Sequence, residues 1–454
     1  MIVLLTVLAP MVLGGLGVPF VARASTPGSA RWRAATTGIA MLASSLAAAL
    51  LSPIDGPIAG FDTLAPAGLG YFALDGLSAP LYPFVAGLTV AIVLGTPSRF
   101  ARPRGFAGLL ATGTLYLGLL AARHPVLVAG FWVLTAVPTL LELRGREGGR
   151  IFAIHRTVST VLVATGVIAV GVAPTSPLAA SLLVLGVMVR EGIFPFHGWV
   201  PRFFERASLG TALLFVQPQV GAYVLARFVI AQTGEPASLL LDVLGVVTLL
   251  YGAGLALGQR SSRRALGYLV VSQSAPVLIA LADGGTLGAT GALLVIVSVG
   301  LAQTGFGLAL WATEARRGAL RLDVESGGHS TTPALAGSTL VLGLASVGLP
   351  GTLSFVAEDL VFHATIEARP WVGLVMVIAT ALNGIGVMRV AFRLFGGKRR
   401  TTGEGDLTGR ERTVLGLLGA TLIVLGLLPQ PLLAPAAAMV DAAQHPAPRE
   451  TTPP

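Results

Sequence analysis

Side chains able to hold a charge or pass a proton are scarce in this sequence, and several gather where an apolar run is interrupted. From Val189 to Pro201 the chain reads Val-Arg-Glu-Gly-Ile-Phe-Pro-Phe-His-Gly-Trp-Val-Pro, at the end of an apolar stretch that starts near Ala179. That stretch is long enough to cross a bilayer, yet it carries Arg190, Glu191, Pro195 and His197. A charge at the centre of a membrane helix costs roughly 2.5–3.5 kcal/mol on insertion scales. A proline removes a backbone donor and kinks or breaks the helix. Irregular backbone survives at membrane depth only against protein or a watery cavity. The chemistry on offer is the holding or passing of an ion; the plain alternative is a buried joint between helices.

A second interruption has the same make-up. Gly348-Leu349-Pro350-Gly351 is followed by Glu358 and Asp359. A buried carboxylate beside a break can titrate usefully. His197 could accept a proton at one end of its helix, although a structural hydrogen bond to the backbone at the break explains it as well. Glu142 and Asp242 lie near helix ends and are expected to reach interfacial water, and Arg227 is expected to snorkel as an anchor. His363 and Glu367 could form an exit site. No nucleotide loop, metal cluster or catalytic triad is legible, so neither a catalytic centre nor a cofactor or metal site is expected in this chain.

The elements that must position these residues are membrane helices. Hydrophobic residues make up 54% of the 454, and charged ones only 11%, against about 25% in soluble domains. Cysteine is absent, which removes disulfide scaffolds and cysteine-ligated metals from consideration. Apolar runs of membrane length predict about fourteen spans, near 1–22, 35–52, 77–96, 105–122, 124–143, 155–173, 176–200, 208–231, 237–257, 265–282, 286–313, 332–364, 370–396 and 411–432. The N-terminus has no basic region before Arg23 and reads as the first span rather than as a secretory signal. A single helix-bundle domain over 1–433 is expected, followed by a disordered Ala/Pro-rich tail over 434–454.

The net charge of +9 belongs to short loops and is no nucleic-acid footprint. Loops after odd-numbered spans hold 24 of the 30 basic residues, Arg156 among them, whereas the even ones hold Arg123 and Arg369 beside several acids. Basic loops stay cytoplasmic, which predicts a multi-pass protein of the cell membrane with both termini outside. The broken spans, the seventh and twelfth, are five helices apart and therefore run in opposite directions. Corresponding interrupted helices point to inverted repeats and a transport path.

Four motifs now resemble one known family, the proton-conducting antiporter-like subunits of respiratory complex I, Mrp antiporters and membrane hydrogenases. They are Asp75-Gly76-Leu77-Ser78; Phe194-Pro195-Phe196-His197-Gly198-Trp199-Val200-Pro201; Arg263-Arg264-Ala265-Leu266-Gly267-Tyr268 with Ser272; and Leu349-Pro350-Gly351-Thr352 with Phe355 and Glu358. The likeness covers about 71–395. It implies fourteen helices with two inverted five-helix repeats, each containing a broken helix. It also implies a mid-membrane chain of ionisable groups. Here the expected fifth-helix glutamate falls on Val133, the seventh-helix lysine on Arg190 and the eighth-helix lysine on Gln219. The histidine after the arginine motif falls on Gln273, and the next lysine region offers Gln303; Glu358 keeps the expected type. Arginine does not give up its proton in a protein, and glutamine orients water without ionising. The pathway candidates are therefore Arg190, Glu191, His197, Gln219, Gln273, Gln303, Glu358 and Asp359.

The resemblance implies an antiporter-like subunit of a hetero-oligomeric, NADH:quinone oxidoreductase-like complex. It would move protons, or sodium ions, across the lipid bilayer that surrounds it, coupled to partner subunits. The alternatives are a non-conducting structural subunit, or the membrane partner of an energy-coupled inorganic-carbon uptake system.

Overall fold

The computed structural model describes residues 2–52, 71–173, 176–228, 235–282, 285–397, 404–430 and 432–433. The expected C-terminal tail, most of the loop after the second span, and Lys398 lie outside the described residues. Among the described residues eighteen α-helices follow one another: α1 (Ile2–Ala22), α2 (Pro27–Leu51), α3 (Ser78–Gly95), α4 (Pro103–Ala121), α5 (Pro125–Thr135), α6 (Val137–Leu143), α7 (Gly149–Val172), α8 (Pro177–Glu191), α9 (Trp199–Arg206) and α10 (Leu209–Val216). They continue with α11 (Val220–Phe228), α12 (Glu235–Gly258), α13 (Ser262–Ala282), α14 (Thr286–Arg317), α15 (Pro333–Ala345), α16 (Leu353–Ala368), α17 (Pro370–Phe395) and α18 (Gly409–Leu427). Among the described residues there is no β-strand, only two isolated bridges, Phe72 with Ala122 and Ser261 with Arg321.

Helix starts follow local chemistry. α2, α4, α5, α8, α15 and α17 each begin at a proline, whose missing N–H costs nothing in the first turn. Thr26 with Ser29, and Thr408 with Glu411, close reciprocal capping boxes at α2 and α18. The box at Thr26 starts α2 eight residues before the expected span, because polar Pro27–Arg33 joins the helix at its solvent end.

Among the described residues twelve segments are long and apolar enough to cross a membrane, from Val3–Ala22 to Pro370–Phe395, and they coincide with twelve of the expected spans. The other two expected spans are α15 with α16, each short by itself, and α18. The segments Leu209–Phe228, Ser262–Ala282 and Leu287–Arg317 have 94% of their most apolar windows buried, against 22% for Val3–Ala22. So α10, α11, α13 and α14 form the centre. α1, α2, α7 and α17 lie outside, presenting Leu16, Leu50, Val172 and Leu374 outward as lipid-facing helices do.

Polar contacts tie the loops into two groups. Arg31 and Arg410 both donate to the Thr96 carbonyl at 2.9 and 3.2 Å, Arg263 pairs with Glu314 at 2.8 Å, and Arg316 with Glu411 at 2.6 Å. These residues lie in the loops that follow odd-numbered spans or, as Thr96 and Glu411 do, at the span ends bordering them. In the other group Arg123 and Arg227 meet Asp75, and Arg369 meets Asp242. The loop-charge alternation is therefore a physical division of the bundle into two ends. Many arginines at the basic end cap helix C-termini: Arg317 donates to Leu394 at 2.6 Å and Arg263 to Ala207 at 2.9 Å.

Four of the expected spans are broken rather than two. The seventh passes through Gly192 and a short 3-10 turn, Phe196–Gly198, before resuming as α9, so it runs to Arg206 rather than ending near residue 200. The twelfth divides into α15 and α16 at Ser346–Thr352. The eighth divides into α10 and α11 at Gln217-Pro218-Gln219, and the fifth into α5 and α6 at Ala136, two residues before Pro138.

Candidate functional site

The two glycine breaks share a local design. Gly192 ends α8 in the left-handed region at φ 72°, and the Ile193 amide donates back to Met188 at 2.9 Å. Gly348 ends the α15 segment at φ 78°, with Leu349 donating back to Leu344 at 3.1 Å. Each turn delivers a carboxylate to the interior, Glu191 just before its glycine and Glu358 a turn into the helix that follows. Gly348 is needed for a further reason: a Cβ there would lie 2.7 Å from Glu358 Oε2.

Arg190 and Glu191 point to different neighbours, as consecutive helical residues must. Both are buried. Glu191 Oε1 accepts the Gly221 amide of α11 at 2.9 Å. Arg190 Nη2 donates to the Tyr116 hydroxyl at 2.7 Å and to the Phe215 carbonyl at 3.0 Å, and its guanidinium lies 3.9 Å from the Phe215 ring centroid. That carbonyl is free because Pro218 breaks α10 and the Gln219 amide bonds Val216 instead. A salt bridge to another helix is not how Arg190 is held among the described residues.

The centre of the site is α13. Gln273 Nε2 donates to the Ser346 carbonyl at 2.7 Å and to Glu358 Oε1 at 3.3 Å. Ser274, the next residue, places its hydroxyl 3.4 Å from the Glu191 carbonyl oxygen. One buried helix thus touches both breaks. Asn383 of α17 donates to Ser272 Oγ at 2.9 Å, one residue earlier. Gln303 of α14 accepts from Gln217 Nε2 at 3.0 Å, which brings the eighth-span break to the same region. Gln219 sits at φ 40°, with its buried Oε1 unpartnered among the described residues.

Two candidates lie elsewhere. Asp359 is half exposed on the outer side of α16, with His363 Nδ1 at 3.4 Å from its Oδ1, so it does not face Gln273 with Glu358. His197 makes no hydrogen bond from Nδ1 among the described residues. Its ring stacks on Phe194 at 5.8 Å and meets Tyr251 edge-on at 5.0 Å, so the expected backbone bond is replaced by aromatic packing.

Three residues assigned to the periphery, Arg227, Asp242 and Arg156, are buried instead, and Glu142 is part-buried. Arg227 does not snorkel: its Nη2 lies 2.5 Å from Asp75 Oδ2, and Nε donates to Tyr223 at 3.0 Å. Arg123 reaches the same Asp75 oxygen at 3.0 Å. Burial alone would raise the Asp75 pKa, but Arg227, Arg123 and the Ser78 hydrogen bonds outweigh it and hold it at about 2. Asp242 is buried against Arg369 rather than reaching water. Glu142 accepts the Ser208 amide at 2.8 Å and Thr211 Oγ1, caps α10, and so is structural. Arg156, counted as a loop charge, lies two turns inside α7, because that helix starts at Gly149 and not near residue 155.

An apolar helix bundle with twelve segments of membrane-crossing length among the described residues defines an integral, multi-pass membrane protein. Residues 150–383 match the family model described as NADH:quinone oxidoreductase/Mrp antiporter, TM. The chain belongs to that family. It is 30% identical over 393 residues to NADH-quinone oxidoreductase subunit 13 of Thermus thermophilus, covering 79% of this chain and 82% of that one. To subunit M of Mycobacterium tuberculosis it is 30% identical over 278 residues, 59% of this chain and half the length of that relative. A chain of the respiratory complex I structure from Thermus thermophilus superposes with a TM-score of 0.84 at 25% identity, over 97% of this chain and 99% of that one. These relatives are membrane subunits of multi-subunit complexes.

Proposed function

We propose that this chain is an antiporter-like subunit of a multi-subunit ion-translocating complex, and that it passes protons along the line from Glu191 to Glu358. One observation carries the reading. Consecutive residues of a single buried helix touch both breaks, Gln273 at the Glu358 carboxylate and Ser274 at the backbone carbonyl of Glu191, whose own carboxylate accepts the Gly221 amide. Glu358 is the titrating group. Arg190 is a fixed positive charge that biases the water around it, since guanidinium does not release its proton. Gln219 and Gln303 orient water, His197 receives protons at the basic end, and Asp359 with His363 forms the outer exit. Electron transfer belongs to partner subunits, and the coupled ion is a proton, with sodium the alternative. The family likeness and the matched glycine breaks support two inverted five-helix repeats within fourteen spans. The division of loop charge supports termini on the outer side.

A non-conducting, sealing role is favoured by one observation. Val133, at the expected fifth-helix carboxylate position, is 43% exposed on the outer surface and can take no part in a relay. The chain reconstituted with its partners, followed by quenching of a pH-sensitive dye, separates the two. In the conducting reading Glu358→Gln lowers proton flux at least tenfold. Unchanged flux removes Glu358 from the path, and absence of flux in a competent wild-type assembly establishes the sealing role.

A further inference from the structure

Outside the line from Glu191 to Glu358, the bundle holds a cluster in which donors have lost their acceptors. Arg156 of α7 is 2% exposed, and its Nε, Nη1 and Nη2 find no hydrogen-bond partner among the described residues. The buried Nη1 of Arg190 and the Nε1 of Trp132 on α5 are in the same condition. These groups are neighbours. The guanidiniums of Arg156 and Arg190 lie 5.5 and 5.6 Å from the Trp132 ring centroid, and 5.2 and 3.9 Å from that of Phe215.

Acceptors nearby are already engaged. The Phe215 carbonyl takes the Tyr116 hydroxyl at 2.8 Å as well as Arg190 Nη2, and the Tyr116 oxygen takes Arg190. Glu191, the carboxylate adjacent in sequence, is turned to Gly221 of α11. Neither guanidinium forms a salt bridge among the described residues. The ring faces offer cation–π attraction but accept nothing in the guanidinium plane. Buried charge persists when it is paired and hydrogen-bonded, and buried N–H groups almost always have a partner. Two like charges here share the one carboxylate Glu191 without a salt bridge, and five donor atoms are open among the described residues.

We propose that Arg156, Arg190 and the Trp132 indole N–H bind a small monovalent anion of halide size between α5, α7, α8 and α10. The anion supplies a second countercharge beyond that of Glu191, the carboxylate within electrostatic reach of both guanidiniums, and an acceptor that can serve several donors at once. A carboxylate from a neighbouring subunit is a poorer occupant, because Arg156 and Trp132 are closed off from the outer surface. The anion binds whether or not protons move along α13.

The test uses the full chain purified in detergent, with chloride or bromide as the probe and gluconate at equal ionic strength as the control. Thermal unfolding is expected several degrees higher in chloride or bromide than in gluconate, as binding to the folded state requires. A bromide anomalous peak is expected between Arg156 and Arg190. Arg156→Gln removes the halide dependence. Trp132→Phe keeps the ring and raises the half-maximal halide concentration about tenfold, the worth of one donor to a charged partner. Should Arg156→Gln not fold, the bromide map and Trp132→Phe still decide. Halide-independent melting, or a bromide map with water alone at the cluster, overturns the proposal. Proton flux is not measured, so a failed relay leaves this result untouched.

Discussion

Asp75 meets Arg227 across 152 residues of sequence, with Nη2 2.5 Å from Oδ2. Its carboxylate is the countercharge for a buried guanidinium, and Asp75→Asn strands that charge. The variant should lose about 3–5 kcal/mol of stability, read as a fall in melting temperature or in yield of folded protein. The sign of the pH effect follows from the depressed pKa. An unfolded aspartate titrates near about 3.9 and the folded one at about 2, so this stabilisation is complete above about pH 4. It is lost as pH falls toward 2, over a range worth roughly 2–3 kcal/mol, and Asp75→Asn should flatten the acid limb of the melting profile. Arg156 was misplaced because a run of arginines from 144 onward reads as one basic loop. The early helix start at Gly149, behind left-handed Gly148, separates its last member from the rest. The identity of Glu358 was legible from its motif, while its Gln273 and Gly348 contacts depend on how α13 and the α15 break pack.

At the scale of elements, the long apolar runs made the helices readable, and glycine with proline marked the seventh and twelfth breaks. The eighth carried the same signal in Pro218, but a single proline is common enough in membrane helices that the apolar run hid it. What that break does was out of reach, since the carbonyl it frees serves Arg190 and Tyr116 from other helices. The breaks also allow sharp tests. Gly192→Ala puts a Cβ 2.6 Å from Val200 Cγ2 on a left-handed backbone and should cost at least about 1–2 kcal/mol, seen as a lower melting temperature. Gly348→Ala adds the same backbone penalty and drives a methyl group toward Glu358. Proton flux in that variant should fall toward the Glu358→Gln level in protein that still assembles.

For the whole molecule, the two families of loop contacts turn a charge count into a geometry. The absence of cysteine makes orientation directly testable. A single cysteine at Thr408 on the basic end should resist a membrane-impermeant maleimide in intact cells, and one at Ala73 beside Asp75 should react. The reverse pattern would invert the proposed topology. The Arg156–Arg190 pair has a further consequence for synthesis. Both charges sit in one helical hairpin, α7 with α8, and Glu191, the one acid of that hairpin, can neutralise only one of them during membrane insertion. Trp132 is made earlier and waits on α5, whereas the Phe215 ring and carbonyl belong to α10 and leave the ribosome later. The hairpin must therefore be held in an unfinished state until its C-terminal neighbour arrives. Nascent chains stopped at Gly192 should be released from the membrane by alkaline extraction more readily than chains stopped after Phe228.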